Sequence, residues 1–238
     1  MTNAESPPRR RRRGFSKGRL EAFSDGVFAI AITLLVLDIA VPARADQHLL
    51  RSFIDEWPSY MAYVVSFSTI GAMWLGHNAV TEYLDHADAT FVRLNLLFLL
   101  FVSFLPFTTG VVATHLFASN LSFHEVTIST STERVAAVVF GLNLTLAALM
   151  IYLMLRHAGR TPGLAADDVA EEELQAFAKE RRSAMLLQAA ATVVGGFLPL
   201  AAVIFYLAVS VFFVIDPFRR MRARARRPAR ANGEPAEY

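Results

Sequence analysis

The chain has 238 residues, of which 54% are hydrophobic, and no cysteine, which excludes disulfide scaffolds, thiolate chemistry and cysteine metal sites. Its formal net charge of +2 sums 23 basic and 21 acidic residues, and the small total conceals how unevenly they lie. The apolar residues fall in uninterrupted blocks rather than at alternating positions, which excludes a β-barrel and implies an all-α, polytopic membrane protein.

Residues 1–18 form a basic tail containing Arg9 to Arg13. Arg12-Arg13-Gly14-Phe15-Ser16-Lys17 imitates a twin-arginine export signal, and Ala43-Arg44-Ala45 imitates a cleavage site. Glu21 and Asp25 intrude where the apolar region of such a signal begins, and further spans follow, so an uncleaved first span is expected. A hydrocarbon core of roughly 30 Å takes about 20 helical residues. On that measure spans are expected at about 20–41, 57–76, 92–113 and 135–155. The last apolar stretch, Ala184 to Ile215, is too long for one ordinary span, and Gly195, Gly196 and Pro199 near its middle predict a hairpin of two helices, 184–197 and 199–216. Before it, Asp168 to Arg182 reads as a charged surface helix, and 217–238 is a second basic tail.

Charge supports six spans over five. With six, every lysine and arginine except Arg44, Arg51 and Arg134 falls on the side of the N-terminus. That bias predicts cytoplasmic termini at the cell membrane. The tails then serve as topology signals that also attract anionic lipid, and no nucleic acid is expected.

In the first span Ile30, Leu34 and Leu37 share one stripe, extended by Phe23, Gly26 and Val41, with Thr33 on its border and Ser24 and Asp25 on its flanks. An apolar stripe suits lipid or packing as well as a pore, and spacing alone favours packing. Thr33 is also positioned to donate back to the Ala29 carbonyl. A charge within a span is expensive, so Asp25 needs a partner, and Arg19 is one candidate. By depth, Ser24, Asp25, His77, Asn78 and Asn95 fall in one layer near the cytoplasmic face. The layer admits helix glue, a proton relay or catalysis. No zinc-protease, nucleophile-elbow or P-loop motif accompanies it, so no enzyme activity is expected. Asp38, near the outer end of the first span, is positioned either to draw cations to a mouth or simply to be solvated.

Arg19-x-x-x-Phe23-Ser24-Asp25, continuing through Ala29-Ile30-x-x-Thr33-Leu34-x-x-Leu37, resembles the signature of the lysosomal potassium channel family of the transmembrane protein 175 type, in its bacterial branch. Trp74 to His77, Asn95 and Ser103-Phe104-Leu105-Pro106 extend the likeness, which covers Arg19 to about Asp216. The resemblance implies a homotetrameric potassium channel whose pore is lined by four first helices, without the absent Thr-Val-Gly-Tyr-Gly filter. Ile30, Leu34 and Leu37 would then form constriction rings, and Thr33 would supply a hydroxyl ring near which K+ passes. Arg19, Phe23, Ser24, Asp25, Trp74, His77 and Asn95 would hold the pore helices. No cofactor and no fixed metal are implied, K+ being the permeant ion. The rival reading is a proton-coupled carrier with Asp25 and His77 as its relay.

Overall fold

The structure, a computed structural model, describes residues 15–37, 57–117, 131–166 and 169–225, together with Leu50 and Ile54. Asp38, Val41, the Ala43-Arg44-Ala45 site, Arg51, Asp168 and the outer parts of both basic tails lie outside the described residues. Among the described residues six α-helices run in order: α1 Lys17–Leu37, α2 Trp57–Glu82, α3 Ala89–Val112, α4 Ser131–Arg160, α5 Glu171–Gly195 and α6 Pro199–Ala225. Three of them, α1, α3 with its extension to Leu116, and α4, are long and apolar enough to cross a membrane.

Local chemistry sets the helix ends. Asp88 caps α3, its carboxylate accepting the Phe91 amide at 2.8 Å, which satisfies one of the orphan donors of a helix start. At its other end α3 widens into a single π-helical turn, Ala113–Phe117. Pro106 lies inside α3, where a missing amide breaks one rung of the helical ladder. Pro199 opens α6, the position at which a fixed φ costs nothing. The α5–α6 turn closes through Gly196 N to Val193 O and Leu198 N to Val194 O. Gly195 is required by proximity rather than by φ: a Cβ there would meet the Ala202 methyl at 3.2 Å.

One expectation needs correcting at α5. The charged segment expected as a separate surface helix and the fifth apolar segment form one helix, Glu171–Gly195. No glycine or proline lies between Glu171 and Ala191, so nothing interrupts helical hydrogen bonding where composition changes.

α3 and α4 form the centre of the bundle. α1 packs against α2 and α3, α5 against α4 and α6, and α6 also returns to α2 and α4. Buried rings and aliphatic side chains from every helix fill the shared core, among them Phe28, Ile70, Phe91, Phe98, Leu144 and Tyr206. Polar pairs fasten the helices inside that core: Ser66 to Thr109 at 2.6 Å joins α2 and α3, Thr69 to Ser210 at 2.9 Å joins α2 and α6, and Tyr206 donates to Thr192 at 2.9 Å between α6 and α5. In an apolar medium such pairs satisfy groups that have no water to turn to.

The links fix which ends lie together. Phe15 exchanges backbone hydrogen bonds with Ala87, and the α2–α3 link also bonds the α4–α5 link through Asp85 N to Leu164 O and Ala166 N to Tyr83 O. The start of α1, the α2–α3 link and the α4–α5 link therefore share one end of the bundle, the end that carries Lys17, Arg93, Arg156 and Arg160.

Candidate functional site: the first helix and its polar pin

α1 presents two faces of different fate. Leu20, Ser24, Phe28, Ala31 and Leu35 are buried against α2 and α3. The opposite face is open, with Phe23 55%, Ile30 61% and Leu37 75% exposed, and Leu34 and Thr33 exposed beside them. Only 28% of the apolar window of α1 is buried within the chain, against 50% for α4. A stripe of large apolar side chains turned away from its own core calls for lipid or another protein surface.

Thr33 lies on this open face. Its hydroxyl donates to the carbonyl of Ile30 at 2.8 Å, not to that of Ala29 as the helical spacing suggested. The consequence is chemical: with its proton committed to the backbone, the oxygen turns lone pairs outward.

Behind the stripe a hydrogen-bonded chain crosses three helices. Ser24 on α1 donates to Leu20 O at 2.9 Å and accepts from Asn95 Nδ2 on α3 at 3.1 Å. Asn95 Oδ1 then lies 2.7 Å from His77 Nε2 on α2. In that order Nε2 carries the proton, because an amide oxygen only accepts. All three side chains are fully buried. The His77 ring stacks on Phe98, with centroids 5.6 Å apart and planes 3° from parallel, and Phe28 packs against both rings with its centroid 5.9 Å from each. Asn78 engages through its carbonyl, which accepts from Thr81 at 3.0 Å.

Asp25 belongs to a different arm. Its carboxylate accepts the Trp74 indole N–H at 2.8 Å on the exposed side of α1 and α2. Arg19, one candidate partner, makes no ion pair with it among the described residues. Sequence reading named Trp74 but missed this pairing, since a search for a charge partner passes over a neutral donor. Asp25 and His77 consequently end separate hydrogen-bond arms, and no direct bond joins them. Among the described residues no group of three or more His, Asp or Glu side chains gathers as a metal site.

Six helices of largely apolar sequence, pinned by buried polar pairs, define a polytopic α-helical membrane protein. Residues 19–106 match the family described as endosomal/lysosomal potassium channel TMEM175. A potassium channel of Chamaesiphon minutus is 34% identical over 211 residues, 87% of this chain and 95% of that protein. One of Streptomyces collinus is 43% identical over 145 residues, 60% of this chain and 65% of that protein, so slightly less than two thirds of its length is matched. The fold resembles the crystal structure of a lysosomal potassium-selective channel TMEM175 homolog from Chamaesiphon minutus, with a TM-score of 0.69 at 32% identity, covering 84% of this chain and 97% of that one. The chain belongs to the TMEM175 family.

Proposed function

We propose that this protein is a potassium channel that conducts passively through a central pore formed by four α1 helices. The observation carrying this reading is the open face of α1, where Ile30, Leu34 and Leu37 stand exposed at successive turns on the least covered of the three helices long and apolar enough to cross a membrane. Four copies facing one axis would bury that face and stack rings of branched aliphatic side chains. Such rings gate by dewetting and need no Thr-Val-Gly-Tyr-Gly filter. Thr33 supplies the polar element of the lining, because its hydroxyl proton is held by the Ile30 carbonyl and its lone pairs face the ion.

The Ser24–Asn95–His77 chain and the Asp25–Trp74 bond hold α1 at a fixed rotation against α2 and α3. That rotation decides which residues face the axis, so these side chains act as positioning residues. Arg19 and Phe23, exposed at the start of the same helix, serve assembly at the pore entrance. The protein is a homotetramer of the cell membrane with both basic ends in the cytoplasm, where the tails meet anionic lipid. It requires no cofactor, K+ being its permeant ion.

Potassium flux through the purified protein in liposomes tests the reading. Ile30→Asn is expected to raise flux several-fold by wetting the constriction, and Thr33→Ala to lower the preference for K+ over Na+. Unchanged flux and selectivity in both variants, with folded protein verified, would place conduction elsewhere. Saturable, slow flux abolished at Asp25 and His77 would instead establish the carrier.

A further inference from the structure

At the basic end of the bundle, α4 and α5 enclose a cleft of about 640 Å³ that the conduction pathway leaves unused. Its wall is cationic from both sides. Arg156 and Arg160 project from successive turns of α4, and Lys179 and Arg182 from successive turns of α5. All four are exposed, and none joins an ion pair with a described residue. The floor is apolar, made by buried Leu155 and Leu174. Among the described residues no acidic side chain lines it; Glu171, one turn before, is engaged by Gln175 at 3.0 Å. Arg181 points the other way, into the bundle against Phe177.

We propose that this cleft binds the phosphate-bearing headgroup of an anionic phospholipid from the leaflet at this end of the protein. Three guanidinium groups and an ammonium converging on one space match phosphate oxygens with charge-assisted, in part bidentate, hydrogen bonds. The volume suits a headgroup with its glycerol. The apolar floor and the level of the cleft favour a lipid over a soluble phosphate. It sits where the membrane-length α4 ends and where α5 passes from charged to apolar sequence. Positive-inside sorting explains why cations gather at this end, and the α4 carbonyl terminus attracts Arg160. Neither requires four cations from two helices to line one concavity.

The inference rests on the reading that the chain spans a membrane with this end inside, but not on conduction, and its test reads lipid rather than flux. The full-length protein, purified in neutral detergent, is offered dioleoyl phosphatidylglycerol or dioleoyl phosphatidylcholine, and retained lipid is counted by native mass spectrometry. Wild type is expected to prefer phosphatidylglycerol by roughly tenfold, with about one molecule per protomer. Changing Arg156, Arg160, Lys179 and Arg182 together to Gln abolishes the preference, whereas Arg156→Lys with Arg160→Lys largely retains it. Should the fourfold change unsettle the fold, Lys179→Gln with Arg182→Gln alone must remove at least half of it. Arg226→Gln, Arg227→Gln and Arg230→Gln in the tail leave it intact.

Equal retention of the two lipids by wild type overturns the proposal. So does an equal loss in the tail variant, which would reduce the effect to diffuse attraction. ATP binding that depends on the same four residues, without any lipid preference, would assign the cleft to a soluble phosphate and overturn the lipid source.

Discussion

Single residues carry more of this architecture than their size suggests. At Gly141 on α4 a Cβ would overlap the Tyr206 hydroxyl and lie 2.6 Å from Thr192 Oγ1, so the α4–α5–α6 contact is built on the missing side chain. Gly141→Ala is expected to cost about 1–3 kcal/mol through overpacking, read as a lower melting temperature in detergent, although alanine is the better helix former. Asp88 gives a pH-dependent case. Burial works to raise its pKa, but hydrogen bonds from the Phe91 amide and the His157 ring, with the His157 charge, outweigh it and leave the pKa below the ordinary aspartate value. A carboxyl depressed on folding contributes stability above its unfolded pKa and loses it as pH falls through the folded one. Asp88→Ala should therefore lower stability by about 1–2 kcal/mol at pH 7, in the range of a lost helix cap. The gap from wild type should narrow below about pH 4; a gap that is constant with pH would show that the charge is idle. Sequence placed neither effect, because a glycine within an apolar block and an aspartate before one look alike in every membrane helix.

At the scale of elements, the pin through α1, α2 and α3 was partly legible. Ser24, His77 and Asn95 were expected at one depth, since helix direction and rise alone give height in the bundle. Their order in the chain of bonds was not, because it depends on rotation about each helix axis. Asn95→Leu would leave Ser24 Oγ its bond to Leu20 O but strand His77 Nε2 in the core, at about 1–3 kcal/mol. It should lower melting temperature and disturb selectivity together if the pin sets the rotation of α1. α5 was divided in the sequence because composition changes sharply near Ser183, yet backbone hydrogen bonding does not respond to polarity. Ser183→Pro would interrupt the helix at that junction at a cost of about 3 kcal/mol or more. An unchanged melting temperature would argue that the two halves are separate after all.

The whole molecule poses the question of what covers α1. The chain lacks cysteine, so single cysteines report neighbours without background. Leu37→Cys, on the open face, is expected to cross-link protomers efficiently under oxidation, and Leu35→Cys, buried at 1% exposure, to do so hardly at all. Native mass spectrometry should return four copies. A monomer with the same face open to lipid would remove the basis for a central pore.

The sequence by itself determined that this is a helical membrane protein and which family it resembles, and its charge bias predicts one basic side. Span length, charge bias and a local signature are all one-dimensional quantities. Only the tertiary structure decided which face of α1 its own core covers, that Asp25 is held by Trp74, and that Arg156, Arg160, Lys179 and Arg182 converge on one cleft. The physical reason is contrast. Where lipid, neighbouring helix and pore wall are all apolar, periodicity cannot tell one face from another, and only packing of helices distant in the chain assigns each face its surroundings.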